Sequence, residues 1–322
     1  MKRKYLIIIL LLLPVSGICQ KEKQLVPSDL KQLTIVTEPS TLYKGYFRAG
    51  TAVSFGVVDK YFNNNSKKQY FLNSAWATNA GFNFMFQYGI TDRLQVEAAI
   101  PVSLNIRQSE SHIYVPSVDT TIDYSFTLKG RGLSDCYFTV KYQLINEKTA
   151  NTSLTGSFEI MVPTGQKNPT DIKGETDYKP PVGNGCFAAT TGLRFRKIQY
   201  PYSYSAYTYY IYQFAGSKIM DPADTKETSF KDGNHIDAGL NFSILLNEWI
   251  ALTNELNMYY RSKDKINDQI PADAIAPWAI SYEPRFVFQI KRFRIGEAVR
   301  IPLAGKGVSA DPLYVLIAQY VF

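Results

Sequence analysis

Apolar and polar residues alternate with period two along most of this chain, the pattern of a strand with one apolar and one polar face. From Leu94 one face reads Leu94, Val96, Ala98, Ile100, Val102 and Leu104, and the other Gln95, Glu97, Ala99, Ser103 and Asn105. The same phase runs through Cys136 to Leu144, Leu154 to Val162, Ile236 to Leu246 and Ile280 to Ile290. Each run is about ten residues, the length a tilted strand needs to cross a bilayer.

The connections between runs alternate in length. Tight polar turns fall at Thr91-Asp92-Arg93, Asn146 to Asn151, Lys197 to Gln199, Asn247-Glu248 and Lys291-Arg292. Longer segments rich in Asn, Lys, Asp, Gly and Pro lie at about 59–68, 107–132, 163–184, 214–234, 263–276 and 304–311. Eleven connections imply twelve strands, placed at 43–57, 76–90, 94–106, 133–145, 152–162, 185–196, 200–213, 235–246, 249–262, 278–290, 293–303 and 313–322. Short turns on one side and long loops on the other are what an outer-membrane barrel shows. The expected fold is therefore all-β, a transmembrane antiparallel up-and-down β-barrel of about twelve strands. The tyrosine-rich run 200–213 shows no clear polar face. Glu297 sits in phase with Ile295, Val299 and Ile301, which should meet lipid, unless a bulge re-aims it.

The N-terminus supports export. Lys2, Arg3 and Lys4 precede an unbroken apolar run from Tyr5 to Leu13, which Pro14, Ser16 and Gly17 then end. This reads as a signal peptide spanning 1–19 and is too short for a bilayer-crossing helix. Cleavage after Cys19 leaves 303 of the 322 residues, and loss of three basic residues lowers the formal charge from +7 to +4. Lipidation of Cys19 is the alternative, disfavoured by the bulky Ile18 before it. Residues 20–42 are polar and precede the barrel proper, 43–322. They read either as a periplasmic leader or as a plug tucked into the lumen.

At the other end Phe322, Tyr320, Ala318, Leu316 and Tyr314 alternate back from the terminus. A last strand ending on an aromatic resembles the signal read by the barrel-assembly machinery, and assigns that role to Tyr320 and Phe322. Opposite the apolar stripe lie Arg48, Glu97, Asp135, Lys141, Glu159, Arg194, Arg196, Asp237, Glu255, Arg261, Glu283 and Arg285. Buried charges need partners or water, so these are expected to point into the lumen. There they either fasten a closed barrel or line a narrow polar conduit. Arg48, Glu97, Glu283 and Arg285 are candidates for pairing across it.

The run Tyr88-Gly89-Ile90-Thr91-Asp92-Arg93-Leu94-Gln95-Val96-Glu97, with Ile100-Pro101 after it, resembles a hairpin motif of the outer-membrane transporter family named after the phenol meta-pathway degradation protein. Gly132-Leu133-Ser134-Asp135 and Pro163-Thr164-Gly165 are similar to the same family's pattern. The resemblance implies a barrel in the outer membrane of a Gram-negative bacterium and uptake of small hydrophobic or aromatic compounds. A Gln at the mature N-terminus resembles exported proteins of the Bacteroidetes.

No enzymatic chemistry is legible. The two histidines, His112 and His235, have no Ser and orienting partner placed by the pattern, and no metalloprotease, phosphate-loop or nucleophile-elbow motif occurs. No cofactor or metal is expected. Asp59, Asn63, Asn64 and Asn65 lack the glycine of a calcium loop. Cys136 and Cys186 read as unpaired. No basic cluster interleaved with aromatics suggests nucleic acid. The expected partners are outer-membrane lipid, the assembly machinery and a small solute. The expected function is passive uptake, with a closed structural or surface-interaction barrel as the alternative.

Overall fold

The computed structural model describes residues 41–322 apart from 72–74, 116–119, 148–150, 175–176, 221–223, 225 and 248. The signal segment and residues 20–40 lie outside the described residues. Thirteen strands make the main sheet: β1 (Phe47–Val58), β2 (Trp76–Gly89), β3 (Leu94–Val115), β4 (Thr120–Leu133), β5 (Cys136–Ile145), β6 (Thr152–Val162), β7 (Ala188–Gln199), β8 (Tyr202–Gln213), β9 (His235–Leu245), β10 (Ile250–Arg261), β11 (Trp278–Ile290), β12 (Phe293–Lys306) and β13 (Leu313–Val321). All pair antiparallel with their neighbours, and β1 pairs with both β2 and β13, closing the sheet into a barrel. β4 and β5 stand end to end against β3, so the wall has twelve staves. Closure pairs β1 on both sides and leaves one unpaired edge among the described strands, that of β4, where a loop covers it; a barrel without open edges is the condition for standing in lipid.

Short turns gather at one end of the barrel, with Thr41 and Phe322 beside them, and long loops at the other; these are called the turn end and the loop end. The outer face carries the apolar stripe. Exposed Phe82, Phe84, Phe86 and Tyr88 alternate along β2, and Phe138, Val140 and Tyr142 along β5. The run 202–213 also resolves. Tyr202 and Tyr204 face out near the turn end, Tyr210 and Tyr212 near the loop end, with Ala206 and Thr208 between, while Ser203, Ser205, Tyr207 and Tyr209 face in. Two girdles with a plain middle are the membrane-interface pattern. It hid the polar face because tyrosine stands on both sides of the strand.

At the closure Phe322 donates its N–H to the Phe47 carbonyl at 2.7 Å, and its ring packs tilted against that of Phe47 with centroids 5.7 Å apart. Tyr320 packs edge-on to Phe322.

The segment 107–132 differs from its expected loop. β3 runs 22 residues to Val115 and pairs continuously with β4 back to Leu133. The apolar alternation that marks a lipid-facing strand ends near Ile106 in the sequence, and backbone pairing continues without it. β1 starts at Phe47 rather than 43. The bulge in β12 lies at Leu303, between the pairs Ser281↔Pro302 and Ile280↔Ala304. It is above Glu297, which stays on the outer face between Phe286 and Leu316.

Candidate functional site in the lumen

The lumen is filled at the turn end and hollow toward the loop end. At the bottom an apolar cluster of Ile198, Leu245, Ala251, Val287 and Ile317 joins β7, β9, β10, β11 and β13 across the interior, with Ala52 and Met85 against it. Sequence reasoning missed it because a polar lumen was expected; Val315 and Ile317, in phase with Gln319, were the available signal. Around it the charged candidates pair along the wall. Arg196 grips Glu147 with two bonds, Nε to Oε1 at 2.7 Å and Nη2 to Oε2 at 2.8 Å, both side chains essentially inaccessible. Glu147 comes from a turn and reaches back into the barrel. Lys141 pairs with Glu97, and Gln95 donates to the same carboxylate. Glu255 lies 3.6 Å from Arg285, which also pairs with Glu283, and Arg300 donates to Glu283 at 2.8 Å.

Each of these ladders spans near strands. The expected pairing of Arg48, Glu97, Glu283 and Arg285 across the lumen does not occur: Glu97 takes Lys141 on the neighbouring stave, Arg285 takes Glu255 and Glu283, and Arg48 bonds Gln87 at 3.2 Å. Side chains reach an adjacent strand at about 5 Å, well short of the opposite wall.

A strap closes the bottom. Thr41 and Leu42 are buried although they precede β1. Leu42 N–H donates to Gln95 Oε1 at 2.5 Å, and the Thr41 hydroxyl lies 3.2 Å from Gln143 Oε1 and 3.0 Å from the Asp92 carbonyl. The Thr91-Asp92-Arg93 turn is thus a docking point for the strap as well as a hairpin, and Asp92 also accepts the Lys44 N–H.

Asp135 sits where β4 gives way to β5, and there the two outlying family-like motifs meet. Its carboxylate accepts the Gly165 N–H at 3.0 Å and the Asn184 N–H at 2.6 Å. Thr164 Oγ1 donates to the Ser134 carbonyl, and Ser134 Oγ to the Val182 carbonyl. Gly165 and Gly183 cross backbone to backbone, where a Cβ on Gly165 would stand 2.6 Å from the Gly183 Cα. β4 pairs with β3 alone among the described strands, and the 163–187 loop covers the break between β4 and β6. Asp135 therefore clamps a loop rather than facing open lumen.

Above the floor is a cavity of about 470 Å³ lined by Arg194, Tyr207, Tyr209, Asp237, Asn257, Tyr259, Ser281 and Arg300, with Val308, Ser309 and Asp311 from the loop end. A second hollow of about 490 Å³ between Tyr61, Phe62, Phe71 and Ile275 shares Val58, Val308 and Ser309 with it. The shared residues make the two hollows neighbours at the loop end. Tyr207 reaches Glu255 at 3.1 Å and also Asn257, while Tyr209 meets Arg194 through its hydroxyl and its ring face, 5.0 Å from the guanidinium carbon. Of the remaining candidates, Glu159 accepts Thr139 at 2.7 Å, and Arg261 lies 3.4 Å from Asp264 at the rim. Tyr207, Tyr209, Tyr259 and Arg300 were not among the sequence candidates. Arg300 was reachable by parity, standing opposite Val299 and Ile301.

Two loops lock above the cavity. Glu227 accepts Lys167 and Asn168 at 2.8 Å each and Ser217 at 2.5 Å. Those bonds, led by Lys167, hold its carboxyl down at about 2. Burial pushes the Cys186 thiol up to about 11. Cys136 and Cys186 are both unpaired.

No family model matches the chain, and no curated protein matches it. Among solved structures, an outer-membrane channel from Pseudomonas putida F1 aligns over 90% of this chain and 100% of its own, with 13% identity and a TM-score of 0.69. The Ralstonia pickettii toluene transporter TbuX aligns over 87% and 90% at 10% identity, with a TM-score of 0.43. The first shows that the twelve-stave fold is that of a known outer-membrane barrel; identity this low carries the fold alone.

Proposed function

We propose that this chain is a non-enzymatic outer-membrane barrel of a Gram-negative bacterium that passively admits small aromatic or hydrophobic solutes. The observation that carries the reading is the tyrosine-walled cavity opening toward the loop end. The apolar outer face with its tyrosine girdles supports residence in lipid, and the aromatic C-terminus packed on Phe47 supports handling by the assembly machinery. The shared fold with a structure described as an outer-membrane channel, and the motifs resembling the phenol-pathway transporter family, agree with it. A Bacteroidetes source rests on the mature N-terminal Gln alone.

The solute enters between the loops and rests against the tyrosines. Two places can then yield, the floor with its strap and the loop clamped at Asp135. The sealed floor is the one feature favouring a closed structural barrel. Uptake of labelled phenol at micromolar supply, in cells lacking the protein, separates the readings. Wild type should restore uptake, and a variant with the cavity filled, Ser281→Trp, should not, provided its unheated band still runs as a folded barrel. Equal uptake with and without the protein would leave only the structural reading.

A further inference from the structure

The cavity holds one carboxylate without a close partner and one guanidinium that is only partly engaged. Arg300 engages Glu283 through Nε alone, its side chain is 45% accessible, and the rest of the guanidinium faces the hollow. Asp237 lines the same hollow and, among the described residues, makes no hydrogen bond and no contact ion pair, although Arg300 attracts it from across the hollow. The other two charged residues lining the cavity are engaged, Arg194 by Tyr209 and Asp311 by Lys60 and the backbone. A carboxylate inside a barrel without a contact partner is costly unless a cation or water meets it, and the free end of the Arg300 guanidinium offers donors close by.

The surroundings give each charge a chemical preference. Asp237 stands opposite Tyr259 on the neighbouring strand, and a carboxylate beside an aromatic ring suits an ammonium. The Arg300 fork suits a carboxylate. The rings of Tyr207 and Tyr209, 5.3 Å apart, supply a wall for a flat apolar group. We propose that the cavity selects zwitterionic aromatic solutes of the aromatic α-amino acid type, with the carboxylate at Arg300, the ammonium at Asp237 and the ring against Tyr207 and Tyr209. This rests on the reading of the cavity as an uptake site.

The test is calorimetric titration of the detergent-solubilised barrel with L-phenylalanine, 3-phenylpropionate and phenethylamine. Wild type should bind L-phenylalanine at least about tenfold more tightly than either single-charge analogue. Arg300→Gln should reduce L-phenylalanine to the level of phenethylamine, and Asp237→Asn should reduce it to that of 3-phenylpropionate. A shift in gel mobility on boiling verifies that each variant is a folded barrel. Equal affinity of wild type for L-phenylalanine and 3-phenylpropionate, or full affinity in Asp237→Asn, overturns the proposal. If none of the three binds while phenol uptake still depends on the cavity, selection of zwitterions fails and the uptake reading stands. If that uptake is absent as well, both fail.

Discussion

The ring of Tyr207 lies flat across Gly239 of the adjoining strand, in space that any side chain there would occupy. Tyr209 lies the same way on Gly192. Each glycine weakens its own strand, β9 or β7, yet lets a large ring hug the wall and leaves the lumen hollow. Gly239→Ala should push the Tyr207 ring inward, shrink the cavity and cost roughly 1–3 kcal/mol of stability through overpacking. Phenol uptake should fall while insertion persists, and Tyr207→Ala added to Gly239→Ala should recover part of the stability. Unaltered uptake and denaturation in Gly239→Ala would show that the packing does not shape the cavity.

The Arg196–Glu147 pair holds a turn inside the floor. Breaking a buried pair from one side leaves a charge without a partner, at about 3–5 kcal/mol. Glu147→Gln should therefore lower the midpoint of guanidinium unfolding clearly. Arg196→Met combined with Glu147→Leu should recover much of the loss, because the Ile198–Leu245 cluster is close by. A midpoint that does not move in Glu147→Gln argues that the pair is solvated.

Asp135→Ala removes two charge-assisted bonds to loop backbone, each worth about 1.5–3 kcal/mol. The 163–187 loop should become accessible, read as faster amide exchange at Gly165 and Asn184 with β5 and β6 still protected. Uniform loss of protection through the wall would mean that Asp135 supports the barrel itself.

Glu227 sets a pH limit on the loops. Its carboxyl is held down at about 2 in the folded chain against an ordinary 4.5, so its contribution is complete above 4.5 and is lost as pH falls through about 2. Protease nicking of 163–187 and 214–234 should stay slow at pH 4 and rise sharply nearer pH 2, with an acid-stable protease. Glu227→Gln should nick readily at every pH. Because the cluster is exposed, added salt should weaken it.

Period-two patterning and loop asymmetry made the twelve staves legible, since lipid outside and water inside impose opposite demands on alternate residues. They failed where those demands lapse. β3 and β4 continue past the lipid band, where apolar alternation carries no signal, and Tyr207 and Tyr209 were masked because interface and lumen both accept tyrosine. Lumen direction was legible for Glu97, Lys141, Glu255, Glu283 and Arg285, but their partners were not, because pairing depends on register between strands. The floor was invisible for the same reason: Ile198, Val287 and Ile317 come from three separate strands and meet only in the closed barrel. Glu297 keeps its place on the outer face with no explanation from its surroundings.

Planar-bilayer conductance tests the central claim most directly: a solute cavity above a sealed floor. Wild-type protein should pass at most a very small ion current, since Ile198, Leu245, Val287 and Ile317 are buried together across the interior and Thr41 and Leu42 are buried against Gln95 and Gln143. Val287→Gly with Ile317→Gly, in a chain lacking residues 20–42, should show clear stepwise current. A large, stable current from the wild-type chain, unchanged by these substitutions, would contradict the account.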